Sequence, residues 1–310
     1  MSHLKLQILT TRLENTVALH HQHKPIRLPG ALLEHKNVLR SHWGGISQDF
    51  HDGPSVSVQS ITVNKEGVEA NTAEASFFQI LYSNLSMDLE LPGDTSIRKM
   101  LSKRHSPLGT EYIQPHNTGV ITHFLLPFGN PLKIAIGVVT ADDKLLCVRR
   151  SHHPKIAVGR GNLQCTVGTQ VKCCEQRFLN HGKPSVELSA LQGMSDEIGE
   201  ELTAICTPLV CTGVIISREH FVPSLLFETT CPLSAMQFVE RWHKASVRDR
   251  HEVDEIIPFD LSSADPILDS VCESQWSTHH AACALHVLLQ RHLVAAARAG
   301  YAPTLASNNY

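Results

Sequence analysis

The sequence predicts an α/β protein in which helices cover both faces of a mixed sheet, an αβα sandwich. Three observations carry that expectation. Residues 134–140 (IAIGVVT) are a continuous apolar run of strand length, and residues 145–149 return after the turn Ala141-Asp142-Asp143-Lys144, the pattern of a hairpin. Residues 184–199 set Leu188, Leu191, Met194 and Ile198 on one stripe, with Pro184 in the first turn, which describes an amphipathic helix. Beyond it strand and helix patterns alternate: 210–217 and 224–229 read as strands, 238–245 as a helix and 255–259 as a further strand. The layered domain is expected over residues 131–262, preceded by an α+β region over 1–127 and followed by a helical extension over 263–310.

Within the first region, residues 32–39 suit a short helix. Residues 56–63 (VSVQSITV) alternate with period two and run into Asn64-Lys65-Glu66-Gly67, a strand entering a turn. Phe77, Phe78, Ile80 and Leu81 supply bulk for a core. Asp94 precedes Ile97, Met100 and Leu101 at helical spacing and is the candidate N-cap. Pro127-Phe128-Gly129-Asn130-Pro131 is a cluster of breakers and marks the boundary. After the hairpin comes a loop with Gly159 and Gly161, then Cys165-Thr166-Val167-Gly168, then an insertion-like stretch to Lys183. Residues 274–298 read as a long amphipathic helix.

Hydrophobic residues make up 42% of the chain and charged residues 18%, a balance that excludes wholesale disorder. The formal net charge is −3 without a long basic run, so nothing points to nucleic acid or to an anionic membrane surface. The longest apolar stretches are too short to span a bilayer. Met1 to Thr11 alternates polar and apolar residues and lacks the apolar core of a secretory signal. The nine cysteines are scattered without a paired framework. Together these predict a cytoplasmic protein with reduced thiols.

Chemistry concentrates at the end of the 184–199 helix. Asp196, Glu197, Glu200 and Glu201 crowd together there, beside Gly199. With the apolar stripe near 20° on a helical wheel, Asp196, Glu197 and Gly193 fall at roughly 180°, 280° and 240°. Carboxylates in a last turn oppose the helix dipole and repel one another unless a cation or basic partner sits among them. Hard cations such as Mg²⁺ or Mn²⁺ favour such oxygens together with those of a phosphate. The alternative is a solvated acidic helix end with no ligand.

This layout, a hairpin, a glycine-bearing loop and a helix closing on two acids and a glycine, resembles the Nudix hydrolases. Their signature ends in Arg-Glu-apolar-x-Glu-Glu-x-Gly-apolar. The matching stretch is Gln192-Gly193-Met194-Ser195-Asp196-Glu197-Ile198-Gly199-Glu200, which keeps Met194, Asp196, Glu197 and Gly199. It departs at Gln192 for Arg, at Gly193 for Glu and at Glu200 for an apolar residue. The signature's upstream glycine matches Gly168, and its upstream glutamate position falls on Pro184. The resemblance covers about 40% of the chain.

The resemblance implies hydrolysis of a diphosphate linked to another group, commonly in a nucleotide. Asp196 and Glu197 would hold Mg²⁺ or Mn²⁺, which neutralises the diphosphate and polarises a water. Glu197, Glu200 and Glu201 are the candidate catalytic acids, with Glu175 as another possible base. Arg149, Arg150 and Gly168 are the candidate substrate contacts. Loss of the signature's Arg and its first Glu supports a second reading, a Nudix-fold module that binds or senses a nucleotide-like molecule without cleaving it. A third is a scaffold that binds a partner. His279, Cys283 and His286 share one face of the last helix at metal-ligand spacing, for which packing is the alternative. Cys173-Cys174 carries no mark of a nucleophile, and Trp43-Gly44-Gly45 reads as a turn with a buried aromatic.

Overall fold

The computed structural model describes residues 6–10, 17–44, 53–64, 67–104, 110–113, 121–125, 127–152, 160–217, 220–273 and 276–298. Gly45, His153, Gly159 and the last residues, 302–310, lie outside them.

The N-terminal region holds β1 (Leu6–Thr10), β2 (Val17–Pro25), α1 (Gly30–Leu33), α2 (Lys36–His42), β3 (Pro54–Asn64), β4 (Gly67–Ser76), α3 (Phe77–Tyr82), α4 (Ile97–Arg104), β5 (Thr110–Ile113) and β6 (Ile121–Leu125). The alternating run expected as a strand is β3, paired antiparallel with β4. A five-stranded sheet results, in the order β2-β4-β3-β6-β5. The helix expected over 32–39 is two short helices. At α4 it is the Ser96 hydroxyl that accepts from the Lys99 amide at 3.2 Å, so Asp94 is not the cap. Asp94 instead takes a φ of 51° in the preceding turn.

The second region begins with β7 (Lys133–Thr140) and β8 (Lys144–Arg150), the expected hairpin. Then follow β9 (Leu163–Cys165), β10 (Val167–Gln170), the two-residue strands β11 (Leu179–Asn180) and β12 (Lys183–Pro184), α5 (Val186–Ile198) and α6 (Glu200–Ile205). The chain continues through β13 (Val210–Ser217), β14 (Pro223–Cys231), α7 (Ala235–Lys244), β15 (Val253–Asp260), α8 (Asp265–Glu273) and α9 (Thr278–Arg298). The large sheet runs β1-β13-β14-β7-β8-β15, with β10 joined to β7 and β9 to β8. Among the described strands only β14 and β7 pair in parallel within it, so the sheet is mixed. Its edge strand β1 comes from the stretch expected to belong wholly to the first region.

Period-two alternation splits β7 between two cores. Ile134, Ile136 and Val138 join Ala190, Met194, Ile198, Leu202, Phe238 and Trp242 from α5, α6 and α7. Ala135 and Val139 join Cys283, Ala284, Val287 and Leu288 of α9 on the opposite face. Helices therefore cover both faces, and the α/β class read from the sequence holds. Among the described residues, no helix is long and apolar enough to cross a membrane. All nine cysteines are free thiols.

α5 is rotated from the expected stripe. Ser185 caps it, accepting from the Leu188 amide at 3.2 Å, while Pro184 pairs with Leu179 just before it. Leu191 is 39% exposed and Leu188 only half-buried, whereas Val186, Ser189, Ala190, Gly193, Met194, Asp196 and Ile198 are buried. Small residues explain the rotation. A β-carbon added at Gly193 would lie 2.6 Å from Thr169 Cγ2 on β10, so the helix backbone approaches the sheet more closely than any side chain allows.

The breaker cluster at 127–131 is a packed joint. Phe128, Asn130 and Leu132 are buried. Asn130 donates its amide to Asn84 Oδ1 at 2.8 Å and its side-chain Nδ2 to the Val58 carbonyl at 3.0 Å, and it accepts from Asn84 Nδ2 at 3.0 Å. Val56, Val58 and Ile61 of β3 share a core with Ile134 and Met194.

Candidate functional site

α5 ends against the point where the chain steps from β9 to β10. Thr166 sits at that step, its hydroxyl donating to the Leu146 carbonyl at 2.5 Å and accepting from the Val138 amide at 3.3 Å. The hydroxyl thus takes over ladder bonds where β7 changes partner from β10 to β8. Just beyond, the Gly168 amide donates to both carboxylate oxygens of Glu197, at 3.1 and 3.3 Å. Glu197, on the flank of the apolar stripe by its wheel position, is partly buried and reaches β10 because α5 is rotated. Burial pushes its carboxyl well above the usual range. The Gly168 amide and Arg150 oppose that shift, while Glu252 and Asp249 reinforce it.

Facing Glu197 is a mixed set of charges drawn from distant segments. Arg150, at the end of β8, pairs with Glu252 at 2.8 Å from the turn before β15. Its Nε is buried and has no acceptor among the described residues. Lys133, at the start of β7, donates to Gln170 Oε1 at 3.2 Å across the β7–β10 pair. Burial, with Arg150 nearby, lowers its ammonium to about 8, against the pull of Glu252. His279 and His280 open α9 with ring centroids 4.2 Å apart. Burial, then the charges of Lys133, His220 and Arg150, holds His279 down at about 3. His280 is likewise held neutral, first by burial and then by its neighbours His279, Arg150 and Lys133. A β-carbon at Gly168 would meet the His280 ring at 2.6 Å, so glycine is needed here for the ring to reach the strand.

Of the residues singled out from the sequence, Glu197, Arg150 and Gly168 are brought together. The others lie elsewhere. Arg149 alternates to the opposite side of β8 and pairs with Glu255 at 3.6 Å, partly in solvent. Asp196 accepts from Gln192 Nε2 at 2.8 Å and lies 3.6 Å from Arg248. Gln192 therefore ties the acid one turn away, and the Asp196 carboxylate serves these partners. Gly199, with φ of 93°, ends α5 and opens α6. Glu200 and Glu201 are thus exposed in the first turn of a new helix, where the dipole favours negative charge, not in the last turn of the old one. Glu175 pairs with Arg177 at 2.8 Å.

Among the described residues, Gly193, Asp196 and Glu197 do not present three converging oxygens. Gly193 supplies none, and Asp196 is engaged by Gln192 and Arg248. The donor set that the resemblance assigns to Mg²⁺ or Mn²⁺ is not assembled on α5.

The spaced residues of the last helix separate. His279 joins the charged set, whereas Cys283 lies against the Phe227 and Ala135 carbonyls at 3.5 and 3.7 Å in the core, and His286 meets Gln290 at 3.3 Å. That face packs. The Cys173 thiol is pushed up to about 12, chiefly by burial, and Cys174 is also raised by burial, which suits neither for attack. Trp43 is buried and donates to Ser86 Oγ at 2.8 Å. Lys133, Asp249, Glu252 and His280 went unmarked in the sequence. A lysine directly before an uninterrupted apolar strand was the one available signal.

The fold and this charged set define an α/β protein with a partly buried polar site at the meeting of α5, β10 and α9. No family model matches the chain, and no curated protein matches it. Among solved structures it is similar to the crystal structure of DR0079 from Deinococcus radiodurans, at 10% identity and a TM-score of 0.36, over 52% of this chain and 82% of that one. Likeness of that size carries no argument about fold family or function.

Proposed function

We propose that the chain is a divergent Nudix-type protein that binds a nucleotide-like diphosphate without cleaving it. The observation that carries this reading is Arg150, whose buried Nε lacks an acceptor beside Lys133, while the signature's ligand position at Gly193 is closed by Thr169. A partly buried guanidinium with an open donor suits a phosphate oxygen, which accepts charge-assisted hydrogen bonds. Lys133 adds a second cation, and neutral His279 and His280 add ring nitrogens without opposing charge.

One observation favours a second reading, a metal-dependent hydrolase. Glu252 and Asp249 sit close enough to Glu197 to perturb it. Acids from the turn before β15 would then replace those missing from α5, with Glu197 as the shared member. Calorimetric titration of nucleoside diphosphate compounds, with and without Mg²⁺ or Mn²⁺, separates the two when paired with a phosphate-release assay. Binding that needs no ion, weakens at least about tenfold in Arg150→Met and yields no product supports the binder. Turnover that needs the ion and disappears in Glu197→Gln supports the hydrolase. Absence of binding in every condition overturns both.

A further inference from the structure

We propose that His21, His23 and Glu74, on the small N-terminal sheet, form a binding site for a borderline divalent ion of the zinc class. Their ligand-capable atoms all lie within 4.8 Å of one another. The juxtaposition follows from the strand pattern. Positions 17, 19 and 21 of β2 point to one side, as do 68, 70, 72 and 74 of the parallel neighbour β4. The pairing shifts register between His21 and Pro25, so that the intervening residues bulge. Bulges re-aim side chains, and this one leaves the His21 and His23 rings edge to face with centroids 4.9 Å apart.

One of these rings is already held by a hydrogen bond. His21 Nδ1 lies 3.1 Å from the Thr72 hydroxyl. If Nδ1 carries the proton and donates there, the lone pair falls on Nε2. That nitrogen is buried and has no partner among the described residues. Metal-ligating histidines are oriented in this way, one ring nitrogen held by a hydrogen bond and the other turned to the ion.

The bland account is a surface ion pair between His23 and Glu74, 3.4 Å apart with 62% and 36% of the side chains exposed. Such a pair is worth little. It leaves unexplained why the Nε2 of His21 is buried without a partner among the described residues, an arrangement that costs free energy. An ion satisfies that nitrogen and uses the other two groups as they stand. Ligands at about 2.1 Å from a tetrahedral ion lie roughly 3.4 Å apart, the separation already present between His23 and Glu74. Two imidazoles and one carboxylate are a donor set that zinc accepts, with solvent completing the shell.

The test uses the full chain, under reducing conditions and without nucleotide, so its outcome is independent of the diphosphate reading. Equilibrium dialysis against Zn²⁺ with elemental analysis should find one saturable equivalent. His23→Ala removes an exposed ligand and should weaken binding at least about tenfold without changing the melting temperature of the metal-free protein. Thr72→Val, which keeps shape but removes the orienting hydroxyl, should weaken it by about 10-fold to 100-fold. Co²⁺ in place of Zn²⁺ should give visible bands of nitrogen and oxygen ligation without thiolate charge transfer. Absence of saturable binding, unchanged affinity in both variants, or a thiolate band that accounts for the bound ion would overturn the site.

Discussion

Glu197 shows how burial sets the behaviour of one carboxyl. It accepts from the Gly168 amide but lies among Glu252 and Asp249, with Arg150 as the compensating cation. Its folded value is raised, so the folded protein holds this proton at pH values where the unfolded chain has released it. Stability then falls as pH rises from about 4.3, the value of an unfolded glutamate, through the raised folded value. Glu197→Gln keeps an acceptor for the Gly168 amide and abolishes the titration. We expect the variant to melt above the wild type at pH 8, with the difference shrinking toward pH 4.5. Melting curves across that range check it; a variant less stable than the wild type at pH 8 would show that Arg150 stabilises the ionised form. That Glu197 belongs to a crowded acidic helix end was legible in the sequence. Its direction was not, because the wheel was aligned on Leu188 and Leu191, which remain partly in solvent.

α5 illustrates the same lesson for an element. Its length and cap follow from Ser185 and the apolar spacing, but its rotation follows from Ala190 and Gly193, whose small size permits contact with β10. An alanine is ordinarily better than glycine in a helix by about 1 kcal/mol. Gly193→Ala should do the reverse here, destabilising by roughly 1–3 kcal/mol, since the new β-carbon would lie within 2.8 Å of both Thr169 Cβ and Cγ2. Thr169→Ala in the same chain should recover part of that loss. Denaturant unfolding of the single and double variants measures both; a stabilised Gly193→Ala would mean that the helix can retreat from the strand. Gly193→Glu, which writes the signature's acid back into the sequence, meets the same obstacle and should not restore a metal ligand.

Across the whole molecule, the two sheets do not behave as beads on a linker. Val56, Val58 and Ile61 share their core with β7 and α5, and a second cluster joins Leu32, Leu39 and Ile97 to Phe128 and Phe221. Asn130 stands at the joint, hydrogen-bonded to both Asn84 and Val58. Asn130→Ala retains the backbone bonds and leaves the Asn84 amide its bond to the His220 carbonyl, but removes the side-chain donor to the Val58 carbonyl. At about 1–3 kcal/mol for a buried group left unsatisfied, a loss of that size is expected. Because the core is shared, thermal unfolding should be a single transition in wild type and variant alike, and residues 127–131 should resist limited proteolysis. A preferred cut there, or two separate transitions, would show independent units.

The elements of this protein were largely readable from its residues one by one. Apolar runs at 134–140 and 210–217, the alternation at 56–63 and the stripe within 184–199 each depend on near neighbours, and local periodicity reports them well. The α/β class followed from their order. What residue order could not express was contact. Arg150 meets Glu252, Lys133 lies near His279, and Glu197 turns to Gly168, through pairings across many residues that strand register creates. Periodicity also measures hydrophobicity and is blind to how closely two backbones can approach, which at Gly193 and Gly168 depends on the absence of a side chain. The acidic helix end was therefore visible in the sequence, while the division of its acids between the Gly168 amide, the Gln192 and Arg248 side chains and the next helix arose only from packing.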